Sequence, residues 1–257
     1  MNDRWLLRPA PRPEAGARLF CFPYAGVGGS VYRLWPAGLP LELEMCAVQL
    51  PGRENRLRET AVDSIPAIVD LLLPALSPYL DRPFAVFGHS MGAVLAAEFV
   101  RALAASSGPL PGHLIVSGRR PPSMPGLESP LHDLPDAEFV AEINRRYGGV
   151  PAGVMEHADL VALLLPSLRA DMKAIETHLP PPRPPLSCPI SVFGGTRDRL
   201  TPRGHLDAWR AETVGMFRIR EFTGDHFYLN AHRDDVLADL SATLAPMIAA
   251  GLTEAKA

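Results

Sequence analysis

Ser90, Asp198 and His226 lie far apart in the chain, yet each sits at the end of a short apolar run, and each is a residue type that nucleophilic catalysis needs. Ser90 is the centre of "GHSMG", which follows the run "FAVFG" and opens the Ala-rich stretch "AVLAAEFV". A strand–turn–helix elbow is tight and strained. Side chains two positions either side of the serine would collide with the neighbouring strand and helix, so glycine at 88 and 92 fits such a turn. The turn would lift the hydroxyl above a sheet at a helix N-terminus, whose dipole favours developing negative charge. The competing reading makes Ser90 only the cap of that helix. A nucleophilic serine needs a base, and the base needs an orienting acid. With an elbow of this kind the chain order is serine, acid, histidine. "PISVFGGTRD" ends in a Gly-Gly turn that presents Asp198, and "FRIREFTGDH" ends by presenting His226. Such strand ends are where open α/β sheets keep their active sites.

The other candidates fit less well. His89 adjoins the serine, and neighbouring side chains in a sharp turn point apart, so packing beside the elbow is its expected role. His113 begins a strand and falls at the wrong end of the sheet. His132, His157 and His178 fall in a helical region as surface or covering residues, and His205 and His232 sit in or beside surface helices. Asp225 is poorly placed to reach the ring of the residue after it, which leaves it a capping role. Asp171, Asp207, Asp234 and Asp235 read as solvated helical charges. An oxyanion hole needs two backbone N–H donors. Met91, the residue after the nucleophile, would supply one. The other would come from the small-residue loop "PYAGVGGS", from Tyr24 or Ala25, with loop geometry favouring Ala25. A phosphate-binding loop fails here: G-x-G-x-x-G would need glycine at Val31, and no Gly-Lys-Ser/Thr is present.

These residues imply a particular scaffold. "RLFCFP", "LEMCAVQLPG", "FAVFG", "HLIVSG" and "PISVFGG" are apolar on both faces, as in a buried parallel sheet. "FRIREFTG" alternates and suits an edge. Helical stretches lie between them. "SIPAIVDLLLPALSPYL" has Asp63 or Ser64 as its cap, "GAVLAAEFVRALAASSG" has Gly108 as the expected C′ residue, and "HRDDVLADLSATLAPMIAAG" closes the chain. Alternating strand and helix predicts an α/β protein with a doubly wound, mostly parallel sheet. From about Arg119 to Pro185 no strand is expected. Two helices, "DLPDAEFVAEINRRYGG" and "MEHADLVALLLPSLRADMKAIETHL", precede a stiff Pro-rich return. The expected organisation is a core of residues 1–118 and 186–257 with a helical insertion, 119–185, as a lid or packing subdomain.

Composition narrows the function classes. The chain has 257 residues, 47% hydrophobic and 21% charged, which suits one large globular core. A net charge of −3 argues against a nucleic-acid partner. No segment has 18 uninterrupted apolar residues and the N-terminus lacks a signal-peptide pattern, so neither a membrane span nor export is expected. Three scattered cysteines (Cys21, Cys46, Cys188) suggest neither a disulfide framework nor a zinc site; a reducing cytoplasm is the expected compartment and a monomer the default state.

Taken together, "FCFPYAGVGGS", "VQLPGRENR", "FGHSMGA", "FGGTRD" and "GDHFYL" resemble the type II thioesterases, stand-alone α/β-hydrolases that accompany modular polyketide synthases and nonribosomal peptide synthetases. The resemblance covers nearly the whole chain. It implies the α/β-hydrolase fold with a helical lid insertion. It implies hydrolysis of acyl groups from the phosphopantetheine thiol of acyl-carrier or peptidyl-carrier domains, as an editing step that clears stalled or misprimed chains, with no metal or cofactor. Carried over by residue, the triad falls on Ser90, Asp198 and His226 and the oxyanion donors on Ala25 and Met91. Arg53, Arg56 and Arg58, with Arg119 and Arg120, fall in loops near the expected mouth and are candidates to meet the pantetheine phosphate or an acidic carrier surface. A carboxylesterase or lipase on free esters fits the same elbow. So does an acyltransferase, although that class works without a late strand-end acid. "VDSI" at 62–65 resembles a phosphopantetheine attachment site only weakly, and a helix cap explains it better.

Overall fold

The computed structural model describes residues 3–126, 129–148 and 157–254. Seven strands form one sheet: β1 Leu6–Leu7, β2 Ala17–Phe22, β3 Leu43–Val48, β4 Phe84–His89, β5 His113–Ser117, β6 Ile190–Gly195 and β7 Phe217–Phe222. Their spatial order is β1-β3-β2-β4-β5-β6-β7, and every pair is parallel except β1 with β3. β7 lies at an edge, as its alternating pattern predicts. β1 has only two residues, Leu6 and Leu7 paired with Val48 and Ala47, too short for any periodic signal in the sequence.

The sheet is covered on both faces, which is why its inner strands read as continuous apolar runs. Alternate residues along a strand face opposite ways. Phe20, Phe22, Cys46, Val48, Phe84 and Val86 join one core with helices α1 (Ile65–Leu76) and α2 (Met91–Ala105). Leu19, Cys21, Met45, Ala47, Ala85 and Phe87 join the other, with Tyr32, Trp35 and the closing helix. Ser64 caps α1, its hydroxyl accepting from the Ala67 N–H at 3.5 Å. The neighbouring Asp63 instead meets Lys173 at 2.6 Å. At the end of α2 the left-handed residue is Ser107 (φ 54°), and Gly108 takes the next position, its N–H reaching the Leu103 carbonyl at 2.9 Å. The stop is therefore a Schellman motif one residue earlier than the glycine suggests.

Between β5 and β6 the described residues contain helices α3 (Asp136–Tyr147) and α4 (Ala158–Thr177) and no strand. α3 ends on Gly148, whose φ of +62° is the left-handed conformation that favours glycine. The expected start of the second helix at Met155 lies outside the described residues. After β6 come α5 (Arg203–Asp207), α6 (Tyr228–Ala231) and α7 (Arg233–Glu254). α7 is long and apolar enough to cross a membrane by length and composition. It nonetheless packs Val236, Leu237, Leu240, Leu244 and Ile248 as one stripe into the second core.

Candidate active site

Parallel pairing brings the C-terminal ends of β2, β4, β6 and β7 to one side of the sheet, and each is followed by a residue singled out above. The end of β4 is the elbow. Ser90 has φ 53° and ψ −114°, a strained backbone held by its N–H to the Ser117 carbonyl at 2.8 Å. The glycines have the predicted reason. A Cβ at Gly88 would sit 2.0 Å from the Gly92 carbonyl oxygen, and one at Gly92 would sit 2.1 Å from that of Phe22. Ser90 makes no side-chain cap hydrogen bond, so helix capping does not account for it.

Asp198 and His226 meet after β6 and β7. His226 Nδ1 donates to Asp198 Oδ2 at 2.8 Å, and Asp198 Oδ1 accepts the Leu200 N–H at 2.9 Å. The Asp198 side chain is fully buried. Nε2 of His226 is buried with no hydrogen-bond partner among the described residues. The turn that brings them together has no spare room, since a Cβ on Gly195 would lie 2.3 Å from the Asp225 carbonyl oxygen. Asp225 itself is exposed and accepts the Phe227 N–H at 3.0 Å, a loop-capping role.

Ser90 and His226 share the wall of a cavity with Tyr24, Ala25 and Gly26. α3 and α4 supply most of the rest of the lining, through residues such as Val140, Tyr147, Leu164 and Leu168, so the chamber is almost wholly apolar. Among the described residues, neither the Ala25 nor the Met91 N–H has an acceptor in the protein.

His89 packs against the site. Its ring lies 4.9 Å from that of His226, and its Nδ1 joins the Ser117 hydroxyl at 2.8 Å, which in turn meets the Tyr228 hydroxyl at 2.5 Å. Burial, with the neighbouring His226 adding to it, pushes His89 well below the ordinary histidine range, so it stays neutral. The same burial drives the Tyr228 hydroxyl upward. His113, at the opposite end of its strand, is lowered to about 4 by burial and pairs with Ser191 at 2.8 Å.

Three sequence readings are overturned. Arg53 is 3% exposed and forks onto Asp171, Nη1 to Oδ2 at 2.6 Å and Nη2 to Oδ1 at 2.9 Å, so it is not available to a phosphate or a carrier. Arg56 is also buried. It binds the Gln49 carbonyl at 2.9 Å and Glu59, and its guanidinium covers Trp5 at 3.8 Å. Asp171 is fully buried, not solvated. Its signal was in the sequence: Leu168, Asp171, Met172 and Ile175 share one face of α4, and three of the four are apolar. Arg58 is exposed, while Arg119 and Arg120 are half-buried. Arg119 and Arg120 line a second, more polar cavity with Arg146, and Tyr147 and Ile175 face both this cavity and the apolar one.

A mostly parallel sheet with an elbow after β4 and two helices, among the described residues, between β5 and β6 is the α/β-hydrolase fold. Residues 17–244 match the family described as thioesterase domain, and the chain belongs to that family. It is a thioester hydrolase, and its relatives are the type II thioesterases. It is 37% identical to the gramicidin S biosynthesis protein GrsT of Aneurinibacillus migulanus over 96% of this chain and 97% of that one. Two solved structures match at similar breadth. The RedJ thioesterase of the prodiginine pathway in Streptomyces coelicolor is 39% identical, with a TM-score of 0.83 over 94% of this chain and 99% of that one. The type II thioesterase BorB of the borrelidin cluster is 34% identical, with a TM-score of 0.84 over 95% and 98%.

Proposed function

We propose that Ser90, His226 and Asp198 are the catalytic triad, and that the chain removes acyl groups from the phosphopantetheine thiol of carrier domains in a modular synthase. The observation that carries this reading is the His226–Asp198 bond at 2.8 Å, which leaves Nε2 unpartnered at the wall of a cavity that Ser90 also lines. In the first half-reaction Nε2 takes the Ser90 proton as Oγ attacks the thioester carbonyl. The Ala25 and Met91 N–H groups receive the oxyanion. The carbon–sulfur bond then breaks, the proton passes to the departing thiol, and an acyl-Ser90 ester remains. In the second half-reaction His226 takes a proton from water, hydroxide adds to the ester, and the acid leaves as Ser90 recovers its proton. Asp198 fixes the tautomer throughout.

The apolar chamber supports a short, uncharged acyl group. Its volume is about 170 Å³, below the roughly 300–1,000 Å³ of pockets for drug-sized ligands. α3 and α4 act as its lid. Arg119 and Arg120 remain the candidates for the pantetheine phosphate or the carrier, because they line the cavity next to the chamber; for Arg58 only exposure speaks. Carrier docking would be transient, by a cytoplasmic monomer, in an editing role like that implied by the biosynthetic relatives.

The test compares kcat/KM for one acyl chain as carrier-bound thioester, as thioester of a small thiol, and as oxygen ester. Preference for the carrier-bound form is expected, falling about tenfold when Arg119 and Arg120 are both changed to Glu at low salt. Equal rates on oxygen ester and thioester would overturn the reading. An unchanged rate in the charge-reversed variant would remove the two arginines from it.

A further inference from the structure

Asp171 does more than close a buried ion pair. Its Oδ2 accepts the Gly26 N–H at 2.8 Å as well as the Arg53 Nη1 hydrogen at 2.6 Å. Gly26 follows the proposed oxyanion donor Ala25, and it stands at φ +81°, a conformation that strains other residues; a Cβ there would press on Leu168 Cδ1 of α4 at 3.0 Å. Arg53 also reaches the same loop, Nη1 donating to the Val27 carbonyl at 3.3 Å. Gln49 closes the circuit. Its Oε1 accepts the Gly29 N–H at 2.7 Å, and its Nε2 donates to the Arg53 carbonyl at 3.2 Å. One carboxylate of α4 therefore holds the loop after β2 and the arginine that braces it.

The peptide plane that carries the Gly26 N–H begins at the Ala25 carbonyl, so fixing it restricts Ala25 directly and, through Ala25, the orientation of the Ala25 N–H. Hydrogen bonds to an ionised acceptor are short and directional. A buried ion pair contributes little net stability over apolar packing and is better suited to fixing geometry. We propose that Asp171, with Arg53, is a positioning residue: it sets the oxyanion loop against Ser90 only while α4 is seated, so that lid docking and oxyanion-hole assembly are a single event. This rests on the function proposed above.

The experiment uses the full chain and measures kcat, KM and melting temperature for Asp171→Ala and Asp171→Asn, with kinetics run well below the lower melting point. Both variants break the ion pair, but only Asn keeps an oxygen for the Gly26 N–H. Misplacing a catalytic group by about 1 Å is worth roughly 10²-fold. The expected result is a 10- to 100-fold fall in kcat for Asp171→Ala with KM within about threefold, and recovery to within about fivefold of wild type for Asp171→Asn. A folded Asp171→Ala with kcat within twofold of wild type overturns the proposal, as do equal losses in both variants. Arg53→Lys covers the case in which Asp171→Ala does not fold. It keeps a charge beside Asp171 but loses the fork, and a several-fold lower kcat at unchanged KM is expected; unchanged kcat overturns the proposal. The wild-type thioester rate separates this from the functional reading. If wild type does not hydrolyse thioesters, the function fails. If it does, and the variants match it, only the positioning role fails.

Discussion

The sheet end and the helical insertion hold their parts of the site by different physics. At the sheet end each group is set by backbone. Ser90 sits in a turn whose flanking glycines touch carbonyl oxygens, and Asp198 follows a Gly-Gly turn pressed against Asp225. In the insertion, α3 and α4 lean on side-chain charge. Asp171 reaches Arg53, Lys173 reaches Asp63, and Arg169 reaches Asp136 at 2.7 Å. Where the Pro-rich return leaves α4, Arg183 forks onto Glu98 of α2 with two bonds of 2.6 Å, and His178 stands 3.3 Å from the same carboxylate. Leu160 and Leu163 of α4 remain 43% and 48% exposed, whereas the inner strands are fully buried. The proposed chemistry is thus built on backbone-set turns, and the proposed substrate contact on helices held by charge pairs as well as by Phe139, Ile143, Met172 and Ile175 in the core.

The comparison can be broken at the sheet end first. Ser90→Ala should lower kcat at least about 10³-fold with unchanged melting temperature; retained turnover on an acyl thioester would remove the serine from the reaction. Asp198→Asn should lower kcat by roughly 10³-fold or more, because the amide no longer selects the tautomer. Asp225→Asn should stay within about threefold, its loop cap being kept by the amide oxygen. The reverse ranking in kcat would mean that the acid is misassigned.

The insertion should respond in stability and pH. Glu98 is drawn down to about 2: burial opposes the charge, but the hydrogen-bonded Arg183 fork and the neighbouring His178 outweigh it. A lowered carboxylate stabilises the fold above its ordinary value of 4.5, and that stability is lost as pH falls through about 2. Glu98→Gln should therefore lower the melting temperature at pH 7 by roughly 3–8 °C, for a loss of up to about 3 kcal/mol. The gap should narrow steadily below pH 4.5. A gap that is constant with pH, in paired thermal scans, would mean that packing and not charge ties α2 to the return segment.

Legibility in the sequence followed the same divide. The elbow, the strand-end acid and the histidine were readable because each depends on local turn chemistry, which a short stretch encodes. The edge position of β7 was readable from its alternation. β1 was not, because two paired residues carry no period. Arg53, Arg56 and Asp171 were misread for one reason. A charged residue in a loop or helix is ordinarily solvated, and its burial here depends on partners up to 118 residues away. Only the apolar company of Asp171 on its helix face hinted otherwise.

The contact between Gly92 and the Phe22 carbonyl has a thermal consequence. Two backbones pressed together are kept apart by short-range repulsion, the steepest part of the interatomic potential. A gap set in that way barely widens on heating. The attractive side-chain pairs that help fasten the insertion, of which Lys173–Asp63 and Arg169–Asp136 are open to water, yield sooner. On warming, Ser90 and the start of the loop after β2 should keep their spacing while the chamber above them slackens. Selectivity toward acyl groups and kcat should then fade together, because Asp171 of α4 also holds the oxyanion loop, while the Ser90 elbow is still intact.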